Sequence, residues 1–308
     1  MGRYGAPPVA GNTKQIIQSL AVNVCIALAK GVAALFTGSG AMLAETLHSS
    51  ADCSNQLLLL LGVRQSAKPP DASHPLGYGR DLYFWSFVVA LLLFSGGGVF
   101  SIYEGVHKLV HPEPVEHVPM ALGILLFSMA LEGWATWGNV KEMNKRRGKL
   151  SLLEYLKRTK DSDLIILFGE NSAAVLGLVI AISSLVAAWV TGNGTFDSVG
   201  SMGIGVVLIC VAIFLAKEVK SLLIGESADE HIGEAVEATV PDHPNVEAVL
   251  RLITIQQGPG EVLVAMKVRM KADLTTRELV DSINRFEQAV HDRAPEIRWC
   301  FVEPDHEA

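Results

Sequence analysis

The chain reads as a polytopic α-helical membrane protein of six transmembrane helices, followed by a cytoplasmic ferredoxin-like α/β domain of order α-β-β-α-β. Three observations carry that expectation. Half of its 308 residues are hydrophobic and only 19% are charged, with a mean hydropathy of +0.34, more than a soluble domain carries. Apolar runs fall near 14–36, 40–62, 82–108, 118–140, 163–190 and 196–220, each close to the ~20 residues a helix needs to cross a bilayer. The formal charge of -7 sits wholly in the tail: residues 226–308 hold 8 bases against 17 acids, whereas 1–225 hold 17 bases against 15 acids. Two domains follow, 1–225 in the bilayer and 226–308 outside it. An acidic tail repels nucleic acid and favours cations.

Turn chemistry separates the runs: "TGSG" at 37–40, "KPPDASHPLGYG" at 68–79, "HPEPVEH" at 111–117 and "TGNG" at 191–194. The segment "KEMNKRRGKLSLLEYLKRTKDSD" at 141–163 reads as a charged, partly helical loop. "GGG" at 96–98 lies inside a run, where helix packing accounts for it. Arg3, Lys14, Arg64, Lys68, Arg80, the eight Lys and Arg from Lys141 to Lys160, Lys217 and Lys220 all fall on one side. The other side shows almost only Lys108, so both termini are expected in the cytoplasm. "MGRYGAPPVAGNTKQ" shows neither a signal peptide nor an Arg-rich transit pattern, and targeting is assigned to the first span, with a bacterial inner membrane as the expected location. Cys25, Cys53, Cys210 and Cys300 show no CxxC spacing and are expected as small core residues.

From Ser227 the periodicity changes. "DEHIGEAVEATV" is a short amphipathic helix, and "VEAVLRLITIQQ" and "EVLVAMKVRM" alternate as strands around "GPG". "TTRELVDSINRFEQAVHDR" is a helix in which Thr275 and Glu278 form a capping box, and "IRWCFVE" closes as a strand. The first strand and the Trp299 strand are expected to bury most apolar area. A unit this small suits pairing with a copy of itself better than catalysis.

The stretch "AETLHSSADCSNQ" (44–56) sets Glu45, His48 and Asp52 in an otherwise apolar helix. Glu45 lies one turn before His48, and Asp52 one turn after it, so the three share a stripe. Ionisable groups at mid-membrane mark a pathway, because each costs roughly 3 kcal/mol on insertion scales. An imidazole and a carboxylate so placed can ligate one divalent ion. Zinc wants four N, O or S ligands, so a second helix must contribute. At 1.5 Å per residue, Asp52 lies roughly 18 Å below the outer end of its span, and Asn171 roughly 12 Å above the inner end of the fifth. In a core of about 30 Å these meet, and "GENSAA" (169–174) supplies Glu170 and Asn171 beside small Ala173 and Ala174. Glu45 has two readings: a guard at the outer mouth of the site, or an ion-pair partner of Lys30 at similar depth. Glu132, level with Glu170, reads as a packing or vestibule residue.

These features resemble the cation diffusion facilitator family. The runs "AETLHSSADCSNQLLLLLGVRQSAKPPDASHPLGYGRDLYFWSF", "GGVFSIYEGVHKL", "ENSAAVLGLVIA" and "KSLLIGE" resemble its branch containing zinc transporter nine. The resemblance implies a homodimer in a lipid bilayer that exchanges divalent metal, usually zinc, against protons by alternating access. The family's paired ligands on the second span fall on His48 and Asp52; its fifth-span pair falls on Leu167 and Asn171, and both depart. That branch typically shows Glu-Asp where this chain has Glu170-Asn171, which replaces an acid by an amide, a poorer ligand. "DASHPLGYG" resembles the family's loop site, with Asp71 and His74 kept and Tyr78 in place of a second His; with two ligands left it reads as a turn. In the tail the family's ligand positions are apolar or basic apart from Glu303, and His243, His291, Asp305 and His306 read as polar surface.

The expectation is therefore a proton-coupled exporter of divalent cations, zinc first. His48 and Asp52 are core ligands, Asn171 and Glu170 complete the shell, and Glu45 modulates it. The transported ion is the cargo, and no cofactor is called for. Manganese, cobalt and iron remain alternative cargoes. A dimeric scaffold that kept the fold while its site decayed is the rival class. No nucleophile-base arrangement and no phosphate loop points to an enzyme.

Overall fold

The structure is a computed structural model that describes residues 13–66, 68–111, 115–148, 151–152, 155 and 162–306. It forms two compact units. One comprises the described chain up to Leu61 together with Trp85–Val219; the other comprises Gly62–Phe84 with the chain from Lys220 onward.

Helices stand over every apolar run: α1 (Thr13–Thr37), α2 (Gly40–Ser66), α3 (Asp81–Leu92), α4 (Phe100–Val110), α5 (Val118–Arg146), α6 (Ser162–Thr191) and α7 (Thr195–Ile224). Among the described residues, Asp81–Val110, Val118–Lys145, Glu170–Thr191 and Thr195–Ile224 are long and apolar enough to cross a membrane. The breaks fall where glycine permits a left-handed backbone, at Gly38 (φ 61°) and Gly192 (φ 69°). Most of the expected 141–163 loop beyond Gly148 lies outside the described residues.

The 82–108 run is not one regular helix. α3 and α4 are joined by a π-helical turn over Leu93–Val99, the segment "LFSGGGV". Gly98 in this turn, with Gly105 of α4 and Gly205 of α7, lets the two helices approach to backbone contact. A Cβ on Gly98 would lie 2.5 Å from Ile209 Cγ1, one on Gly205 would lie 2.8 Å from the Gly98 carbonyl, and one on Gly105 would lie 2.7 Å from the Ser198 carbonyl. Packing through small residues is how helices associate where lipid removes the hydrophobic drive, and an added residue per turn lets the glycines stay in register with α7.

The cysteine expectation needs correcting. Cys25 and Cys210 are exposed, and Cys53 and Cys300 are half-buried. An apolar helix facing lipid carries small apolar residues outward as readily as inward, so an apolar run does not mark a buried position. Desolvation, then the nearby Glu287 carboxylate, pushes the Cys300 thiol up to about 12. It is therefore not a thiolate ligand at neutral pH.

In the second unit α8 (Glu230–Glu237) leads through a 3₁₀ turn (Val240–Asp242) to β1 (Val246–Gly258), β2 (Glu261–Met270), α9 (Thr276–Arg293) and β3 (Ile297–Pro304). The sheet order is β1-β2-β3, with β1 antiparallel and β3 parallel to β2. Gly260 at φ 67° closes the hairpin. Thr275 and Glu278 form the capping box expected for α9, and Asp229 caps α8. Ile232, Val236, Val264, Val268, Phe286, Val290 and Ile297 make the core.

The expectation that the first and last strands bury most apolar area does not hold within this unit. β2 does, with Val262, Val264, Met266, Val268 and Met270 all buried, whereas β1 and β3 leave Ile253 and Phe301 exposed. A central strand is flanked on both edges while the helices cover one face, so its inward side chains lose solvent from every direction.

His231 bridges two carboxylates, with Nδ1 2.8 Å from Asp229 and Nε2 2.5 Å from Glu296. The Glu296 hydrogen bond, then the Asp229 one, raises its pKa above the ordinary 6.5. Only the imidazolium can donate from both nitrogens. The bridge therefore stabilises the fold fully below pH 6.5, and that contribution is lost as pH rises through the raised folded value. The unfolding midpoint of wild type minus that of His231→Gln is expected to shrink as pH is raised from 6 to 9. A constant difference would show that protonation plays no part.

Candidate functional site

α2 carries the polar stripe, and its N-terminus is fixed by a residue the sequence analysis did not single out. Asp197, in the first turn of α7 and buried, accepts from Ser39 Oγ at 2.5 Å and from the Gly40 N–H at 2.6 Å. A carboxylate there satisfies donors that a helix start leaves unpaired and complements its dipole. An acid at the very start of the apolar 196–220 run is the signal that marks Asp197 in the sequence, but not its partner. Lys108 donates to the Gly38 carbonyl at the same turn.

One turn into α2, Glu45 meets Lys30 of α1. Lys30 Nζ lies 3.1 Å from Glu45 Oε2 and 2.8 Å from Ser49 Oγ, and Lys30 and Glu45 are 1% and 0% exposed. Of the two readings of Glu45, the ion pair is the one formed. Its other oxygen, Oε1, has no hydrogen-bond partner and faces α6, where a Cβ on Gly177 would approach it to 2.4 Å.

His48 lies on the same stripe, buried, with neither ring nitrogen hydrogen-bonded. Its Nε2 is 3.9 Å from Asp52 Oδ2, and the Asp52 side chain is 28% exposed. A buried imidazole normally finds a partner for at least one nitrogen, since an unpaired buried polar group costs about 1–3 kcal/mol. Two unpaired nitrogens beside a carboxylate fit a pair that takes a cation as its partner.

α6 runs antiparallel against this face. Glu45 meets Gly177, and the step from Glu45 on to Asp52 equals the step from Gly177 back to Glu170. That register sets Asp52 and Glu170 at one level along the two helices. Ala173 and Ala174, 2% and 3% exposed, provide the close approach the sequence implied. Asn171 is half-buried, and its main-chain carbonyl oxygen accepts from Thr136 Oγ1 of α5 at 3.5 Å. Glu132 of α5 lies in the field of Asp52, Lys30, His48 and Glu45. The structure thus sets His48 beside Asp52 and pairs Glu45 with Lys30. Among the described residues no three His, Cys, Asp or Glu side chains gather tightly enough to hold a metal ion. The Leu167 side chain lies outside the described residues.

The 68–80 loop is a turn built on Asp71. Its Oδ1 accepts from Ser73 N–H (2.9 Å), Ser73 Oγ (2.7 Å) and His74 N–H (2.8 Å), and its Oδ2 from Tyr78 OH (2.7 Å). The Ser73 and Tyr78 hydroxyls hold its carboxyl well below the usual range. Both oxygens are committed to the turn, and Tyr78 is one of the donors. In the tail, Lys267 Nζ lies 3.8 Å from Glu303 and 2.5 Å from Asp305, and His243 packs edge-on to Phe286.

Comparison with known proteins gives the chain its family. Residues 16–224 match the family model described as the cation efflux transmembrane domain. The chain is 33% identical over 273 residues to "Proton-coupled zinc antiporter SLC30A9, mitochondrial" of Xenopus laevis, covering 88% of this chain and 49% of that protein. It is 24% identical over 287 residues to "Cation-efflux pump FieF" of Klebsiella pneumoniae, covering 92% of this chain and 89% of that one. A nickel form of the MamM CTD, 15% identical, aligns with a TM-score of 0.24 over 26% of this chain and 100% of that chain. The chain spans about half the length of the SLC30A9 relatives it matches. With a polar stripe on α2, four helices of crossing length and a match over most of the helical region, the chain is a multi-pass integral membrane protein and belongs to the cation diffusion facilitator family.

Proposed function

We propose that the protein exports divalent metal cations from the cytoplasm in exchange for protons, with zinc as the cargo. The observation that carries this reading is buried His48, unpaired at both nitrogens and 3.9 Å from Asp52. His48, Asp52 and Glu170 bind the ion, Asn171 lends a neutral oxygen at the edge of the shell, and Glu45 holds Lys30 beside it. Metal needs neutral imidazole and ionised carboxylate, so protons compete for the same atoms. Opening the site by alternating access to a more acidic side releases metal and loads protons.

In this reading α1, α2, the α3–α4 pair, α5, α6 and α7 are six spans, with residues 1–225 as the transport domain and both termini in the cytoplasm. The asymmetry of Lys and Arg between the connections supports that orientation. Similarity to FieF over nearly its whole length supports a bacterial inner membrane; the SLC30A9 relatives are named mitochondrial. Residues 226–308 act as a cytoplasmic ferredoxin-like clamp that pairs two copies, and the exposed sheet face with Ile253 and Phe301 supports this. Expressed alone, that fragment is expected to be a soluble dimer in sedimentation at micromolar concentration without added metal. A monomer, or folding only on zinc addition, would rule out a metal-independent clamp.

Asn171 in place of an acid favours a second reading, a transport-inactive scaffold. Flux in sealed vesicles decides between them. Zn²⁺, Mn²⁺, Co²⁺ and Fe²⁺ are offered at two imposed pH gradients, and zinc is expected to move fastest and to accelerate with the gradient. No flux of any of the four would leave the scaffold.

A further inference from the structure

We propose that His107 and His111, at the C-terminal end of α4, form a second site for a divalent transition-metal ion, separate from the central one. The two are one helical turn apart, and the helical bond from the His111 N–H to the His107 carbonyl, 2.9 Å, carries the turn through His111. Residues so spaced share a face, and two histidines at this spacing are the part of the zinc-protease helix motif that grips its metal.

The ring geometry fits chelation. An ion held by two imidazole nitrogens at about 2.1 Å with a near-tetrahedral angle sets the ring centroids about 5 Å apart. Here they are 5.1 Å apart, with 31° between the planes. The Tyr103 ring stacks on His107 from the preceding turn, with centroids 6.2 Å apart and planes at 24°, which limits the rotation of one ligand before metal arrives. Both histidines are exposed at the very end of the Asp81–Val110 span, with His111 one residue beyond it, so an ion reaches them from the aqueous edge, with water completing its shell.

The placement is distinct from that of the His48 stripe. The Glu116 N–H donates to the Thr37 carbonyl at 3.0 Å, so the segment after His111 lies at the end of the bundle where α1 passes into α2. An ion there sits at the rim of the helical unit. The inference rests on this pair alone and stands whether or not the central site transports.

Nickel is the probe, because imidazole pairs bind first-row ions more strongly toward copper in the divalent series. The full chain in detergent is treated with diethyl pyrocarbonate with and without Ni²⁺, and modified histidines are located by mass spectrometry. Ni²⁺ is expected to protect His107 and His111 together while leaving exposed His231 and His306 unprotected. Equilibrium dialysis of H107Q/H111Q is expected to show one fewer bound Ni²⁺ than wild type, and H48A/D52A is expected to keep that equivalent. Protection of neither histidine, protection of one alone, or unchanged stoichiometry in H107Q/H111Q would overturn the proposal. Loss of flux in H48A/D52A with His107 and His111 still protected would support both sites as separate.

Discussion

Glu170→Gln is expected to abolish zinc flux as completely as His48→Ala or Asp52→Ala, while Asn171→Ala is expected to slow it only severalfold. The distinction comes from helix register. Neighbours on a helix point about 100° apart, so Glu170 and Asn171 cannot both face one ion squarely, and the second of them reaches only its edge. Glu45 lies against Gly177, and the same register carried two turns along each helix sets Glu170 level with Asp52, so Glu170 is the acid proposed to complete the shell. At an effective dielectric near 20, a charge pair at 4 Å is worth roughly 4 kcal/mol before desolvation is subtracted. Even half of that is about thirtyfold in ion occupancy. An amide carbonyl forfeits the net charge and with it most of this term. Initial rates in proteoliposomes, normalised to folded protein by size exclusion, provide the check. Full flux in Glu170→Gln together with a dead Asn171→Ala would reverse the assignment and make the amide the ligand.

Lys30→Met or Glu45→Gln alone is expected to destabilise the helical unit by about 3–5 kcal/mol, because each leaves its partner's charge buried without compensation. Lys30→Met/Glu45→Met together are expected to regain most of that loss. The pair is not ideally satisfied: Glu45 Oε1 has no hydrogen-bond partner, while Lys30 divides its donors between Glu45 and Ser49. Two charges at 1% and 0% exposure carry a desolvation cost that a single 3.1 Å contact only partly offsets, so an apolar pair of similar volume packs there at little net cost. Equilibrium unfolding in mixed detergent, followed by the double-mutant cycle, measures the coupling. Single variants no less stable than the double would mean that water reaches the pair and screens it. Glu45→Gln is also expected to keep residual flux, since Glu45 is occupied with Lys30; a variant as inactive as Asp52→Ala would return Glu45 to the ion.

Much of this was legible along the chain. The helices over the six apolar runs, the order of strands and helices in the tail, the Thr275–Glu278 capping box and the turn at Asp71 depend on run length, period and residues at fixed short spacing. Those are local properties, and hydropathy and turn chemistry report them directly. The stripe Glu45–His48–Asp52 was legible for the same reason, since three positions on one helix share a face whatever surrounds them. Even the Lys30–Glu45 pair followed from depth, because two antiparallel helices joined by a tight turn leave little freedom in relative height.

What depends on packing between distant segments was not legible. Asp197 caps α2 from α7 across most of the helical region's length, and no local pattern links the two. The choice between Glu170 and Asn171 turns on the rotation of α6 about its own axis, which the hydropathy of α6 does not report. The π-helical turn at Leu93–Val99 sets Gly98 against the α7 backbone, a contact no local pattern announces. β2 takes the buried centre of the sheet because β3 pairs with it in parallel through the α9 crossover. Hydropathy fixes how far a residue lies along its helix; which way it faces is fixed only by the neighbours that pack against it.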